Sequence, residues 1–391
     1  WVGLSIAIGV VSYVLIPFLR DIATAVGQVG LATTLETGIV RVSLALAFLW
    51  TFVWVNLHGL KLYKNMLVPM MFLMFALGSV VIIAGFAFDH EQFVVAVQAA
   101  DNHAIPEGGE FPFRLGIFLA AAAVLFSSFI GFDSIAQAGG EARNPHLSLP
   151  LAIGIAVVTV GTFYLLFTSA VYHAVPWRFV AEEALTQDLT APGLLGYLLP
   201  TGWTVAIIAG AAVALINDLP AMLLAVSRLM FAWAEDGIFP RFVGSVHPTR
   251  HTPGVAIVLS GLMASAGILG SHLAGDFFLG VDILVTAMLV NFLLMCASVV
   301  TLPHRNPELA AEVRVLPQRG AQVSLALLGI VLLGTFLVVH VWKDISTPQP
   351  AWYLHSTAVW VAVMLVGSAI YVREFTRLLH SGVDVQARFS A

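Results

Sequence analysis

The sequence predicts an all-α integral membrane protein, and three observations carry that prediction. The first is composition: 59% of the 391 residues are hydrophobic and only 10% are charged. A soluble domain carries roughly 25% charged residues, so a soluble globule of this make-up would lack the charge to cover its surface. The second is length: a helix needs about 20 mostly apolar residues to cross about 30 Å of hydrocarbon. Ten stretches meet or approach that requirement. The third is the sorting of Lys and Arg between alternate loops.

Taken in order, the stretches are 2–19, 42–57, 65–88, 114–138, 149–172, 203–233, 254–271, 277–302, 322–342 and 352–372. They are too long for strands and lack a two-residue alternation. Backbone polar groups in lipid must pair within the segment, which selects helices. The stretch 2–19 has no basic start and no small-residue cleavage pattern, so it does not read as a signal peptide. No linker divides the chain, and one transmembrane domain across 1–391 is expected.

With ten crossings, one side collects Lys61, Lys64, Arg143, Arg241, Arg250, Arg305, Arg314, Arg319, Arg373, Arg377 and Arg388. The other collects Arg20, Arg41, Arg114, Arg178 and Lys343. Basic residues mark the cytoplasmic side, so both ends of the chain are expected there. Residues 140–150 and 235–253 then face the cytoplasm, and the acidic segments 89–113 and 173–202 face outside.

Intramembrane acids mark functional sites by default, because a charge in hydrocarbon is costly. Three qualify: Asp133, Asp218 and Asp282. Asp133 follows Phe126, Ser127, Ser128, Phe129, Ile130, Gly131 and Phe132. Gly131 weakens the helix by about 1 kcal/mol relative to alanine, and the hydroxyls of Ser127, Ser128 and Ser134 can satisfy freed backbone groups. The segment reads either as a helix broken in mid-membrane, exposing backbone groups to a ligand, or as a small-residue packing face. Asp218 lies between Asn217 and Leu219, just before Pro220. Proline frees the carbonyl of Ile216, and a freed carbonyl beside a carboxylate suits a cation. The bland reading is a kink whose polar groups satisfy their neighbours. Asp282 lies near an external helix end, where water reaches it.

Other chemistries lack support. With 17 Lys+Arg against 22 Asp+Glu the chain has no basic excess for nucleic acid. Its one cysteine, Cys296, excludes a disulfide framework and a cysteine-based zinc site. No Walker-type glycine loop and no His-Glu-x-x-His spacing occurs. No cofactor is implied, and the coupling ion, proton or sodium, stays open. An uncoupled channel and a membrane-embedded enzyme are the rival classes. The enzyme would need clustered His, Asp or Glu at one depth, whereas the acids here are isolated.

Two motif-bearing stretches are more specific than any single residue. The first runs Phe129-Ile130-Gly131-Phe132-Asp133 and continues through Gly140-Glu141-Ala142-Arg143-Asn144-Pro145. The second runs from Ser227-Arg228 through Glu235-Asp236-Gly237-Ile238-Phe239-Pro240 to His247-Pro248 and Thr252-Pro253. They resemble the sixth and eighth helices, with their cytoplasmic loops, of the amino acid–polyamine–organocation superfamily of permeases. Asn56-Leu57-His58-Gly59-Leu60-Lys61 resembles the loop entering that family's fifth helix.

The resemblance implies the inverted-repeat helical bundle first seen in a leucine transporter. It implies a plasma-membrane permease for an amino acid or related amine, working by alternating access, and no enzyme. Counting back, 2–19 is the third family helix, so the resemblance places the first two outside this sequence. Part of the substrate site then lies there too, and residues 1–391 alone are expected not to transport. The substrate-binding residues it implies here are Ser127, Ser128, Phe129, Ile130, Gly131 and Phe132. The coupling candidates are Asp133, Asn217 and Asp218, with Asp133 the leading proton relay. The mid-membrane lysine of some proton-coupled members is missing from 65–88.

Overall fold

The structure, a computed structural model, describes residues 1–59, 61–101, 112–132, 144–186, 188–275, 277–313, 315–316 and 318–381. Among these residues there are helices and no strands. The helices are α1 (Val2–Ala25), α2 (Val29–Glu36), α3 (Gly38–His58), α4 (Lys61–Ala87), α5 (His90–Asp101) and α6 (Leu115–Leu125). There follow α7 (Pro145–Ala174), α8 (Trp177–Glu183), α9 (Ala191–Leu195), α10 (Thr201–Asp236) and α11 (Gly254–Ala274). The chain ends with α12 (Phe278–Arg305), α13 (Pro307–Glu312), α14 (Arg319–Ser346) and α15 (Ser356–His380).

Among the described residues, nine helices are long and apolar enough to cross a membrane: α1, α3, α4, α7, α10, α11, α12, α14 and α15. Each coincides with one expected stretch. The remaining stretch, 114–138, is the exception: its described part is the short apolar helix α6 followed by a 3-10 turn, Phe126–Phe129. Shorter helices also lie in segments expected as loops, α2 within 20–41 and α5 within 89–113. They escape a search for spans because they are short and carry polar residues. Pro220 does not end α10, which runs unbroken from Thr201 to Asp236. It stops at Gly237, whose φ of +80° is the left-handed cap that glycine adopts without strain.

The core forms around α1. Ile8 and Ile16 of α1 pack with Leu49 and Val53 of α3, Leu219 and Leu223 of α10, and Ile257 and Ile268 of α11. Small residues let these helices approach closely. A Cβ added at Gly9 would fall 2.1 Å from the Ala264 carbonyl oxygen of α11. A second cluster, around Phe93, Phe179 and Tyr197, joins α4, α5, α7, α8 and α9 to α10 at the end carrying the acidic segments.

At that same end the short helices are fastened by charge. Arg20 donates to Asp21 at 2.8 Å, to Glu36 at 2.9 Å and to the Asp188 carbonyl at 2.7 Å. Arg41 pairs with Asp188 at 2.5 Å and lies 3.9 Å from the centroid of the Tyr13 ring. Both arginines are 8% exposed, although the sequence marks them only as loop charges. Burial is tolerated because each guanidinium meets carboxylates, and that of Arg41 the Tyr13 ring as well.

Candidate functional site: the break after α6

The α6 helix stops at Leu125 and tightens into the 3-10 turn Phe126–Phe129. Ser127 Oγ donates to the Val124 carbonyl at 2.7 Å, and the Ile130 amide donates to the Ser127 carbonyl at 3.0 Å. Ile130 is then extended, with ψ of 146°, and Gly131 has φ of +113°. Such a backbone is open to glycine and strained for other residues. Among the described residues nothing lies within 4 Å of a Cβ built there, so the positive φ is what calls for glycine. The sequence pointed to Gly131 for weak helix propensity, whereas the structure uses its positive φ.

Aromatic contacts hold the broken segment on two sides. Phe132 stacks on Phe292 of α12 at 5.3 Å, and Phe126 meets the same ring edge-on at 5.9 Å. Phe126, Ile130 and Phe132 also pack against a cluster containing Ala7 of α1 and Met288 of α12. On the other side Phe129 meets Tyr164 of α7 edge-on at 5.7 Å. Tyr164 Oη donates to the Ser128 carbonyl at 3.0 Å. Ser128 and Gly131 are exposed at the turn.

Asp218 projects from the middle of α10 and is exposed, while Leu219 and Pro220 beside it are buried. It lies within electrostatic reach of Tyr164. Tyr164 therefore links two regions that the sequence could only name separately: the turn 127–132 and the acid before Pro220. Asn217 lies next to Asp218 and is half-buried. Asp133 lies outside the described residues. Asp282 sits in the second turn of α12, where its backbone carbonyl meets His340 Nε2 at 3.2 Å. It lines a cavity with Ala121, Val124 and Leu125 at the end of α6 and with His340, Lys343 and Asp344.

Sequence reasoning missed Tyr164 and Phe292. A phenol in the middle of a span is a weak signal of a polar partner. Phe292 carries no signal, because one phenylalanine among many in apolar helices looks like any other. The arrangement favours positive charge. A helix C-terminus presents unpaired carbonyls and about half a negative charge, and Asp218 adds a full one. Among the described residues no group of three or more His, Cys, Asp or Glu could hold a metal.

Comparison with known proteins agrees with this architecture. The model of a family described as amino acid permease matches residues 1–365. A vacuolar cationic amino acid transporter 4 of Arabidopsis thaliana is 33% identical over 161 residues, 40% of this chain and 26% of that protein. Cationic amino acid transporter 4 of Mus musculus is 32% identical over 170 residues, 43% of this chain and 26% of that protein. A branched-chain amino acid permease of Bacillus subtilis is 27% identical over 281 residues, 68% of this chain and 53% of that protein. The chain thus spans from about a quarter to about half the length of these relatives. With the family model matching residues 1–365 and the spans in place, the chain belongs to the amino acid permease family, a membrane family of transporters.

Proposed function

We propose that this chain is the membrane domain, or most of it, of a secondary transporter moving an amino acid or related amine by alternating access. The observation that carries the reading is the break at Ile130–Gly131, which ends a helix beside Tyr164 and Asp218. Backbone carbonyls of 127–132 and the Asp218 carboxylate hold the substrate ammonium, and Phe126, Phe129 and Phe132 shape the apolar wall. Asp133, Asn217 and Asp218 are the coupling candidates, with a proton or sodium as the ion. Relatives named for cationic and for branched-chain amino acids support a substrate with an amino group. The proposed location is the plasma membrane with both chain ends cytoplasmic, an orientation supported by the Lys and Arg sorting.

The test is uptake by the reconstituted full-length protein, using a panel of labelled amino acids and amines at several pH values, with and without sodium. Saturable uptake that unlabelled substrate competes away is expected. Rapid, non-saturating flux would instead make the protein a channel, and no uptake of any amine would remove the reading.

A further inference from the structure

A cavity of about 680 Å³ lies between α12, α13 and α14, at the end of the bundle opposite the acidic segments. Its wall is almost wholly apolar and includes Cys296, Leu302, Ala310, Leu325 and Ala326. Its charged lining residue is Arg319, the first residue of α14. Pro303 explains how that arginine is held. Proline has no amide hydrogen, so the carbonyl four residues back, at Val299, loses its helical donor. Arg319 Nη2 fills the vacancy at 2.8 Å and reaches the Val300 carbonyl at 3.1 Å. Arg319 Nη1 donates to Gln322 Oε1 at 2.9 Å.

All three acceptors are neutral. Among the described residues no carboxylate pairs with Arg319. The result is an oriented guanidinium that, among the described residues, meets no carboxylate and keeps spare donors at the mouth of an apolar cavity. Its depth fits one kind of occupant. The spanning helix α12 ends at Arg305, itself exposed, and the spanning helix α14 begins at Arg319. Cys296 lies about 13 Å further in along α12 at 1.5 Å per residue. An anion at the boundary joined to a hydrocarbon chain running inward matches both parts, and a soluble anion would leave the apolar part empty.

We propose that this cavity binds an anionic phospholipid, with the headgroup phosphate on Arg319 and an acyl chain lying along Cys296. Basic residues at the cytoplasmic ends of spans recognise such headgroups. The proposal rests on membrane embedding and is independent of what the protein transports.

Cys296 supplies the readout, because an acyl chain covering it slows its alkylation. The full-length protein, with any cysteine other than Cys296 replaced by serine, is purified in detergent. Alkylation of Cys296 by a small maleimide is timed with added phosphatidylglycerol, phosphatidylcholine of the same chains, or soluble glycerol phosphate. Half-protection is expected at about fivefold less phosphatidylglycerol than phosphatidylcholine, the factor that one arginine near an anionic headgroup contributes. Glycerol phosphate is expected to protect nothing. Arg319→Gln should abolish the preference and Arg319→Lys restore most of it. Ala310→Phe, which fills the cavity and leaves Arg319 in place, should abolish protection by both lipids. Equal protection by the two lipids in the wild type, a preference that survives Arg319→Gln in folded protein, or protection by glycerol phosphate alone would each overturn the proposal.

Discussion

Tyr164 places its hydroxyl on the Ser128 carbonyl, within electrostatic reach of Asp218, and its ring against Phe129. Removing only the hydroxyl separates these roles. Tyr164→Phe keeps the ring contact and loses one hydrogen bond of about 1 kcal/mol. In the full-length protein, uptake should fall about fivefold in kcat/KM with little change in thermal stability. Asp218→Asn keeps size and removes charge, and an increase in KM of about tenfold for an amine substrate is expected. Unchanged KM would detach Asp218 from the site. At the opposite extreme of burial, Arg41→Leu takes the cation from Asp188, while Glu36 keeps Arg20. Thermal or denaturant unfolding should show a loss of about 1 kcal/mol, since water screens the part-exposed Asp188 carboxylate. Removing Asp188 as well should return part of it, because two apolar groups cost less than one unpaired charge. The sequence revealed these arginines as charges near helix ends, but their burial depends on α2 and on residue 188 coming from distant parts of the chain.

Among the elements, the spans were readable because each is a long apolar run, and a long apolar run in lipid has one backbone solution. The position of the break was readable too, through Gly131 and its neighbouring serines. Its cause was not, since a positive φ is a property of the path and not of composition. Two glycine variants distinguish the two demands on this residue. Gly131→Ala meets no described atom within 4 Å, so its cost is the backbone conformation, about 1–3 kcal/mol. It should fold with a lowered melting temperature and lose most of its uptake as the segment moves. Gly85→Ala meets the carbonyl carbon and oxygen of Ala170 at 2.5 Å. Backbone cannot give way as a side chain can, so α4 and α7 must separate. A loss of about 1–3 kcal/mol is expected, with any fall in uptake following the loss of folded protein. If Gly131→Ala transported like the wild type, the positive φ would have no role in transport. The short helices α2, α5 and α13 were not readable as spans because they are too short, and only tertiary contacts distinguish them from loops.

At the scale of the whole molecule, the charge bias is sharper in the fold than in the sequence. Arg20 and Arg41 count as two of the basic residues on the proposed outer side, yet both are spent on Asp21, Glu36 and Asp188. They contribute little net positive charge to that surface. Arg241 and Arg250, by contrast, are exposed on the segment between α10 and α11, and no ion pair joins either to a described residue. The positive-inside rule weighs basic residues near helix ends, and Arg241 and Arg250 stay solvent-accessible. The proposed orientation puts Ser245 inside and Glu182 outside, both exposed and suited to labelling. In a full-length background with Cys296 replaced by serine, Glu182→Cys should react with a membrane-impermeant maleimide added to intact cells. Ser245→Cys should react only after the membrane is opened. The reverse pattern would invert the molecule, place the cavity at Arg319 in the outer leaflet and open the break toward the opposite solvent. Labelling of both positions from one side would mean that one helix between them fails to cross.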